Sequence, residues 1–270
     1  MRQTNRVISA AYFALDAVQD AFSRRHGAHV LVTCMPKSAS TSLTNAIGEY
    51  PGFRKIALAA AYGGREQELC QIRLSRYNHR GNYVAQQHLR NSDWTQRLID
   101  QYRLSPVVLI RDLPDVVLSF RDHLRRESHE SPVAFFTRAH LQQDDAALEE
   151  SVVRLAMPWY LNFYAGWRRE PRAHLVAYED LVKDPTRSIG DVLRFAGVEP
   201  APSAMSKAMQ AFRGPNNRIN VGIAGRGRSL SPVAAEALGL LLDQYPEFAN
   251  DAYFRGMRVT LEAVMAAGAA

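Results

Sequence analysis

The run Val30-Leu-Val-Thr-Cys34 is an apolar strand with no polar alternation, followed at once by Met-Pro-Lys-Ser-Ala-Ser-Thr-Ser-Leu. Such a strand must be hidden on both faces, and the lysine-bearing turn after it opens into a hydroxyl-rich helix start. Backbone N–H groups in the first turn of a helix have no intrahelical partner and lie at the positive end of the helix dipole, so this corner suits a phosphate or sulfate group. Lys37 adds a full positive charge there, and Ser38, Ser40, Thr41 and Ser42 add hydroxyl donors. The Walker spacing Gly-x4-Gly-Lys-Ser/Thr is absent, because the lysine precedes the hydroxyl run; ordinary nucleoside-triphosphate hydrolysis is thereby disfavoured. A helix start that is merely rich in capping residues is the plain alternative reading.

Further apolar runs at 82–87, 106–110 and 173–177 join 29–34 in alternating with amphipathic helical stretches. That pattern predicts an α/β fold, with a mostly parallel central sheet flanked by helices on both faces. At 270 residues and 30.3 kDa, a single domain over 1–270 is expected. Its first part, 1–27, reads as an amphipathic N-terminal helix with Val7, Ile8, Ala11, Leu15, Val18 and Phe22 on one side, packed on the domain or on a second subunit of a homodimer. Ligands of such sheets gather at the carboxyl ends of the strands. Lys37, His88, Arg111 and Tyr178 all emerge there, which points to one shared site.

The strand Val107-Val-Leu-Ile ends in Arg111 and turns into a helix through Asp112-Leu-Pro114, proline being tolerated in a first helical turn. Together, Pro36-Lys-Ser-Ala-Ser-Thr-Ser-Leu43 and the segment from Arg111 to Ser119 resemble the two phosphate motifs of the sulfotransferases. That family moves a sulfuryl group from 3'-phosphoadenosine 5'-phosphosulfate (PAPS) to a hydroxyl or amine. The resemblance spans about residues 28–243 and implies a P-loop-like nucleotide-binding fold, PAPS as donor, 3'-phosphoadenosine 5'-phosphate (PAP) as product, and no metal. It implies that Lys37, Ser38, Ala39, Ser40, Thr41 and Ser42 bind the 5'-phosphosulfate. Arg111 and Ser119 then bind the 3'-phosphate, arginine offering its donors as a fixed planar fork. The strand and Tyr178-Glu-Asp-Leu segment is similar to one that places its tyrosine near the adenine; an aromatic at a strand end is otherwise core. In the late loop Asn220–Pro232, Arg226, Gly227 and Arg228 occupy the place of a basic flap over the 3'-phosphate, or form a solvated loop. Residues 127–165 correspond to helices that shape an acceptor lid, and their acidic pairs Asp144-Asp145 and Glu149-Glu150 read as a solvated face.

Sulfuryl transfer needs a base for the acceptor's proton and a cation for the charge that develops as the sulfur–oxygen bond breaks. Lys37 suits the second task. For the first, His88 stands at the end of the strand Asn82–Gln87 and is followed by leucine, as the base is in several branches of the family. Its ordinary pKa of about 6.5 lets a modest shift leave it neutral at working pH. His123, on the helix after Arg111, and Glu68, in a stretch read as helical, are the competing bases.

Two positions depart from the family pattern. Ala39 stands where glycine is common, which means strain if the position needs a positive φ, and Ser42 stands where many members stack a tryptophan on the adenine. A net charge of +6 suits a polyanionic donor, and because the basic residues are scattered, a small-molecule, carbohydrate or lipid acceptor is expected in preference to nucleic acid. Cys34 and Cys70 lack metal-ligand spacing and read as reduced thiols, with a Cys34–Cys70 bridge as the alternative. No apolar run of about twenty residues occurs, so no stable membrane insertion and a cytoplasmic location are expected. The rival functions are a binding module that keeps the phosphate cradle without turnover, and a magnesium-dependent nucleotide or small-molecule kinase.

Overall fold

The computed structural model describes residues 27–59, 67–128, 130–214 and 224–268; the segment read as an N-terminal amphipathic helix and the first residues of the loop that begins at Asn220 lie outside the described residues. The first half of the chain runs β1 (His29–Cys34), α1 (Ser40–Glu49), β2 (Lys55–Ile56), α2 (Gln71–Tyr77), β3 (Tyr83–Gln87), α3 (Asp93–Tyr102), β4 (Ser105–Ile110) and α4 (Leu113–Arg126). The second half runs α5 (Arg138–Leu141), α6 (Asp145–Arg168), β5 (His174–Ala177), α7 (Tyr178–Lys183), α8 (Pro185–Phe195), α9 (Pro202–Phe212), α10 (Pro232–Leu242) and α11 (Ala252–Gly268).

The strands form one parallel sheet in the order β2-β3-β1-β4-β5. Four of them are the apolar runs of the sequence. The fifth, β2, has only two residues at the sheet edge, too few to show a hydrophobic period. β1 is buried from end to end because it has neighbours on both sides and helices on both faces. On one face Val30, Val32 and Cys34 pack with Leu43, Ala46 and Ile47 of α1 and with α8 and α9. On the other, Leu31, Val108 and Ile110 pack with Val116, Val117 and Phe120 of α4 and with Met157 and Tyr160 of α6. Each such side chain contributes about 1.5–3 kcal/mol on burial.

This two-sided burial positions the site. α1 leaves β1 over one face, whereas α4 leaves the adjacent β4 over the other. The carboxyl ends of β1 and β4 therefore flank a topological switch point, where a crevice opens in sheets of this kind.

The acidic pairs after α5 take four roles, Glu150 pairing with Arg154 one turn on at 2.6 Å. Asp144 caps α6 by accepting from the Ala147 N–H at 2.8 Å, and Asp145 pairs with Arg125 at 3.0 Å. Glu149 is not on a solvated face: it is buried, accepting from Arg121 Nη1 at 2.5 Å and from the Ser231 N–H at 2.8 Å. Its partners come from α4 and from the turn before α10, and they satisfy a carboxylate that helix periodicity alone would leave in water. α6 itself carries Val152, Met157, Tyr160, Phe163 and Trp167 into the core. Cys34 and Cys70 are both free thiols. Among the described residues no helix is long and apolar enough to cross a membrane.

Candidate active site

The turn from β1 to α1 is held at every residue by a long-range or local bond. The Met35 N–H donates to the Leu109 carbonyl at 3.0 Å, which fixes the turn to β4. Ser38 Oγ donates to the Met35 carbonyl at 2.6 Å, the Tyr160 hydroxyl to Pro36 O at 3.2 Å, and Arg111 Nη1 to Lys37 O at 2.8 Å. Lys37 and Ala39 both adopt left-handed backbone, with φ of 66° and 62°. For residues with a Cβ this conformation costs about 1–2 kcal/mol each, and the surrounding bonds keep it in place. The result is a helix start with no side-chain cap, so the first-turn N–H groups of α1 are left for another acceptor.

The hydroxyls near this turn do not act as one set. Ser38 faces back into the turn, and Ser40 accepts from Gln86 Nε2 at 2.9 Å. Thr41 is half-buried, and the buried Ser42 hydroxyl has no hydrogen-bond partner among the described residues.

Arg111 forms the second corner. Its guanidinium lies 4.0 Å from the centre of the Tyr178 ring and 3.6 Å from Asp115 Oδ2, while its Nε is buried without a partner among the described residues. Its own carbonyl accepts from the Tyr253 hydroxyl at 2.7 Å, so α11 braces the strand end. Ser119 is buried about two turns along α4. Tyr178 is also buried, with a face against Arg111. Two carboxyls flank the same corner. Burial, and after it the nearby Asp115 and Glu179, push the Asp112 carboxyl up to about 7. Burial likewise raises Glu179, which accepts from the Asp112 N–H at 3.1 Å.

The late loop is anchored to the start of α4. Asp115 accepts from the Gly225 and Gly227 N–H groups at 2.9 and 2.6 Å, and Arg226 Nη2 pairs with Asp122 at 2.8 Å. A Cβ on Gly227 would stand 2.4 Å from Pro114 Cβ, so only glycine lets this loop lie so close. Arg228 is exposed beside it. Residues 225–227 of the loop are thus built onto the Arg111 corner and are not a free solvated segment.

His88 is half-buried at the end of β3. Its Nδ1–H donates to the Cys34 carbonyl at 2.9 Å and its backbone N–H to Gln67 Oε1 at 2.9 Å. The first bond selects the tautomer whose Nε2 carries the lone pair. Burial lowers its pKa from the ordinary histidine value, so the ring is neutral at neutral pH. The adjacent Cys34 thiol, 3.5 Å from Nδ1, is pushed up to about 12 by burial and stays protonated. His123 Nδ1–H donates to Glu127 Oε2 at 2.9 Å, and Glu127 Oε1 lies 3.8 Å from Lys37 Nζ. Glu68, read as helical, instead lies exposed in the loop before α2, because that helix starts only at Gln71.

Sequence reading therefore brings together Lys37, Arg111, Tyr178 and the Gly227 loop, and misses Glu127, Gln86, Tyr160 and Tyr253. The last two reach the site from 124 and 142 residues away, and no local pattern announces them. Asp115 carried a signal, an acid in the first turn of the helix four residues after the strand-end Arg111. Among the described residues no group of three His, Cys, Asp or Glu side chains is placed to hold a metal ion.

Uncapped N–H groups and the Ser42 hydroxyl at one corner, and the unpaired Arg111 Nε at the other, fit a ligand with an anion at each end. A family model described as "Sulfotransferase domain" matches residues 28–218. Among solved structures, the mouse sulfotransferase SULT7A1 complexed with PAP is 15% identical, with a TM-score of 0.61 over 90% of this chain and 92% of that one. A retinol dehydratase in complex with retinol and PAP is 15% identical, with a TM-score of 0.51 over 82% of each chain. At such identity these two likenesses establish a shared fold. A comparison with curated proteins found no match. The family model spans well over half of the chain, and the protein belongs to the sulfotransferase family.

Proposed function

We propose that this sulfotransferase delivers the sulfuryl group of PAPS to a hydroxyl or amine of a small-molecule, carbohydrate or lipid acceptor by in-line displacement, with Lys37 and His88 as the catalytic pair. The observation that carries the reading is the 2.8 Å bond from Arg111 to the Lys37 carbonyl, which joins the two anion corners at one crevice. PAPS, when bound, supplies the activated sulfur–oxygen bond and the leaving phosphate.

The chain's own residues supply the rest. Lys37 and the first-turn N–H groups of α1 stabilise charge on the oxygens around the transferred group. Nε2 of His88 accepts the proton released by the acceptor as its oxygen or nitrogen bonds to sulfur. Arg111 and Ser119 bind the 3'-phosphate, and Tyr178 serves the donor by holding the Arg111 guanidinium over its ring. Gly227, Arg226 and Arg228 close the same corner from the late loop. Phe135, 82% exposed on the loop before α5, supports an acceptor-facing role for the outer part of the 127–165 segment. Free thiols at Cys34 and Cys70 support a reducing, cytoplasmic setting.

Incubation of the chain with sulfur-labelled PAPS and a panel of phenols, sugars and lipid alcohols, in the presence of a chelator, tests the proposal. Label should pass to at least one acceptor class. Stabilisation by PAP with no transfer to any acceptor would favour the non-catalytic binding module instead.

A further inference from the structure

Helices α10 and α11 lie on one core, into which they send Leu238 and Leu242 from the first and Met257 and Leu261 from the second. α10 carries one charged residue, Glu236, and no other polar side chain, yet its outer side is in solvent, where Leu240 is 61% exposed. On the outer side of α11, Val259 is 66% exposed. Two contacts fix how the helices run. Arg258 pairs with Asp243 at 2.7 Å, and a Cβ on Gly268 would stand 2.8 Å from Pro232 Cγ. The helices are therefore antiparallel, and at about 1.5 Å per residue Leu240 comes level with Val259 to within about 3 Å. Two large apolar side chains thus stand side by side at the middle of an outer face, the arrangement of a surface that meets another.

Arg255 and Glu262 show which surface fits. Both are exposed, and neither joins an ion pair among the described residues. They stand seven positions apart on the side of α11 that carries Val259, one toward each end, about 10 Å from each other along the axis. A second copy turned end for end about a two-fold axis at Val259 sets its Glu262 against Arg255 and its Arg255 against Glu262. A copy laid parallel would set arginine on arginine. The charges are thus complementary to themselves in the antiparallel orientation.

We propose that the outer face of α10 and α11 is a homodimer interface, with Leu240 and Val259 meeting their counterparts at the centre and an Arg255–Glu262 pair on either side of the axis. The occupant of the face is a second copy of this chain.

Sedimentation velocity of the full chain from about 1 to about 100 µM tests this, and the wild type should pass from monomer to dimer in that range. Leu240→Asp and Val259→Glu should stay monomeric with the circular dichroism spectrum of the wild type, because both side chains lie outside the core. Arg255→Glu or Glu262→Arg alone should weaken the dimer by about tenfold or more, since the two-fold axis turns two attractions into two repulsions. The two reversals combined in one chain should restore the affinity to within about threefold. A wild type that stays monomeric throughout, its face covered by residues 1–26 or kept for a different protein, would overturn the proposal. So would a dimer that Leu240→Asp and Val259→Glu leave intact, or a double reversal as weak as the single ones.

Discussion

Arg111 Nη1 donates to the carbonyl oxygen of Lys37 at 2.8 Å, although the two residues stand 74 positions apart. The bond links the ends of β1 and β4, which are neighbours in the sheet while their helices depart over opposite faces. One arginine thus sets the shape of the turn that carries Lys37 and lines the second corner of the candidate site. Its remaining donors lie between the Tyr178 ring and Asp115, so its plane is fixed before any ligand arrives.

Tyr178 should matter through that plane and not through its hydroxyl. Tyr178→Phe keeps the ring under the guanidinium and should bind PAP as the wild type does. Tyr178→Leu removes it, and the preference for PAP over adenosine 5'-phosphate should fall by about threefold to thirtyfold, as for loss of a desolvated cation–π contact. Calorimetric titration of both variants with both nucleotides checks this. A larger loss in Tyr178→Phe than in Tyr178→Leu would point to the hydroxyl.

Replacing His88 by glutamine should lower kcat by about two orders of magnitude or more. Burial lowers the pKa of the ring, so the acid limb of kcat/KM in the wild type should have its midpoint below the ordinary histidine value of about 6.5. The limb should vanish in the variant. Near-normal turnover in His88→Gln, together with loss of activity in His123→Gln, would transfer the role to the histidine beside Glu127.

Ala39 is the clearest stability test. Its φ of 62° is one that glycine adopts freely, so Ala39→Gly should raise stability by about 1 kcal/mol and Tm by a few degrees. A thermal melt with and without PAP measures both stability and retention of the site. Lower stability in the glycine variant would mean that the turn is not strained.

Much of the fold is legible in the amino-acid sequence, because β1 and β4 are buried apolar runs and each is followed within three residues by a charged residue ahead of a helix. Lys37 and Arg111 are legible for that reason, and so is the glycine in the late loop. What escapes sequence reading depends on partners distant along the chain. Glu149 looks solvated on its own helix and becomes a buried acceptor only through Arg121, 28 residues away. Tyr253 looks like an ordinary aromatic of a C-terminal helix until its hydroxyl is seen on the Arg111 carbonyl. Glu127 reads as one acid of a polar stretch, and only the turn after β1 brings Lys37 to it.

Asp112 gives the fold a pH dependence of definite sign. In the folded chain it keeps its proton up to about pH 7, whereas its ordinary value is 3.8. Between those limits the folded state binds more protons than the unfolded state, so this group's contribution to stability is full at low pH and is lost as pH rises through the window. Urea midpoints from about pH 5 to about pH 7.5 should therefore fall more steeply in the wild type than in Asp112→Asn. Parallel curves for the two proteins would contradict the raised value.

The joining of two anion corners into one nucleotide site is tested most directly by calorimetric titration with PAP and with adenosine 5'-phosphate, in wild type and in Arg111→Ala. PAP should bind with a dissociation constant in the micromolar range or tighter, adenosine 5'-phosphate about a hundredfold more weakly, and Arg111→Ala should remove most of that difference. Equal affinity of the wild type for the two nucleotides, or a preference that survives in Arg111→Ala, would contradict a single site spanning Lys37 and Arg111.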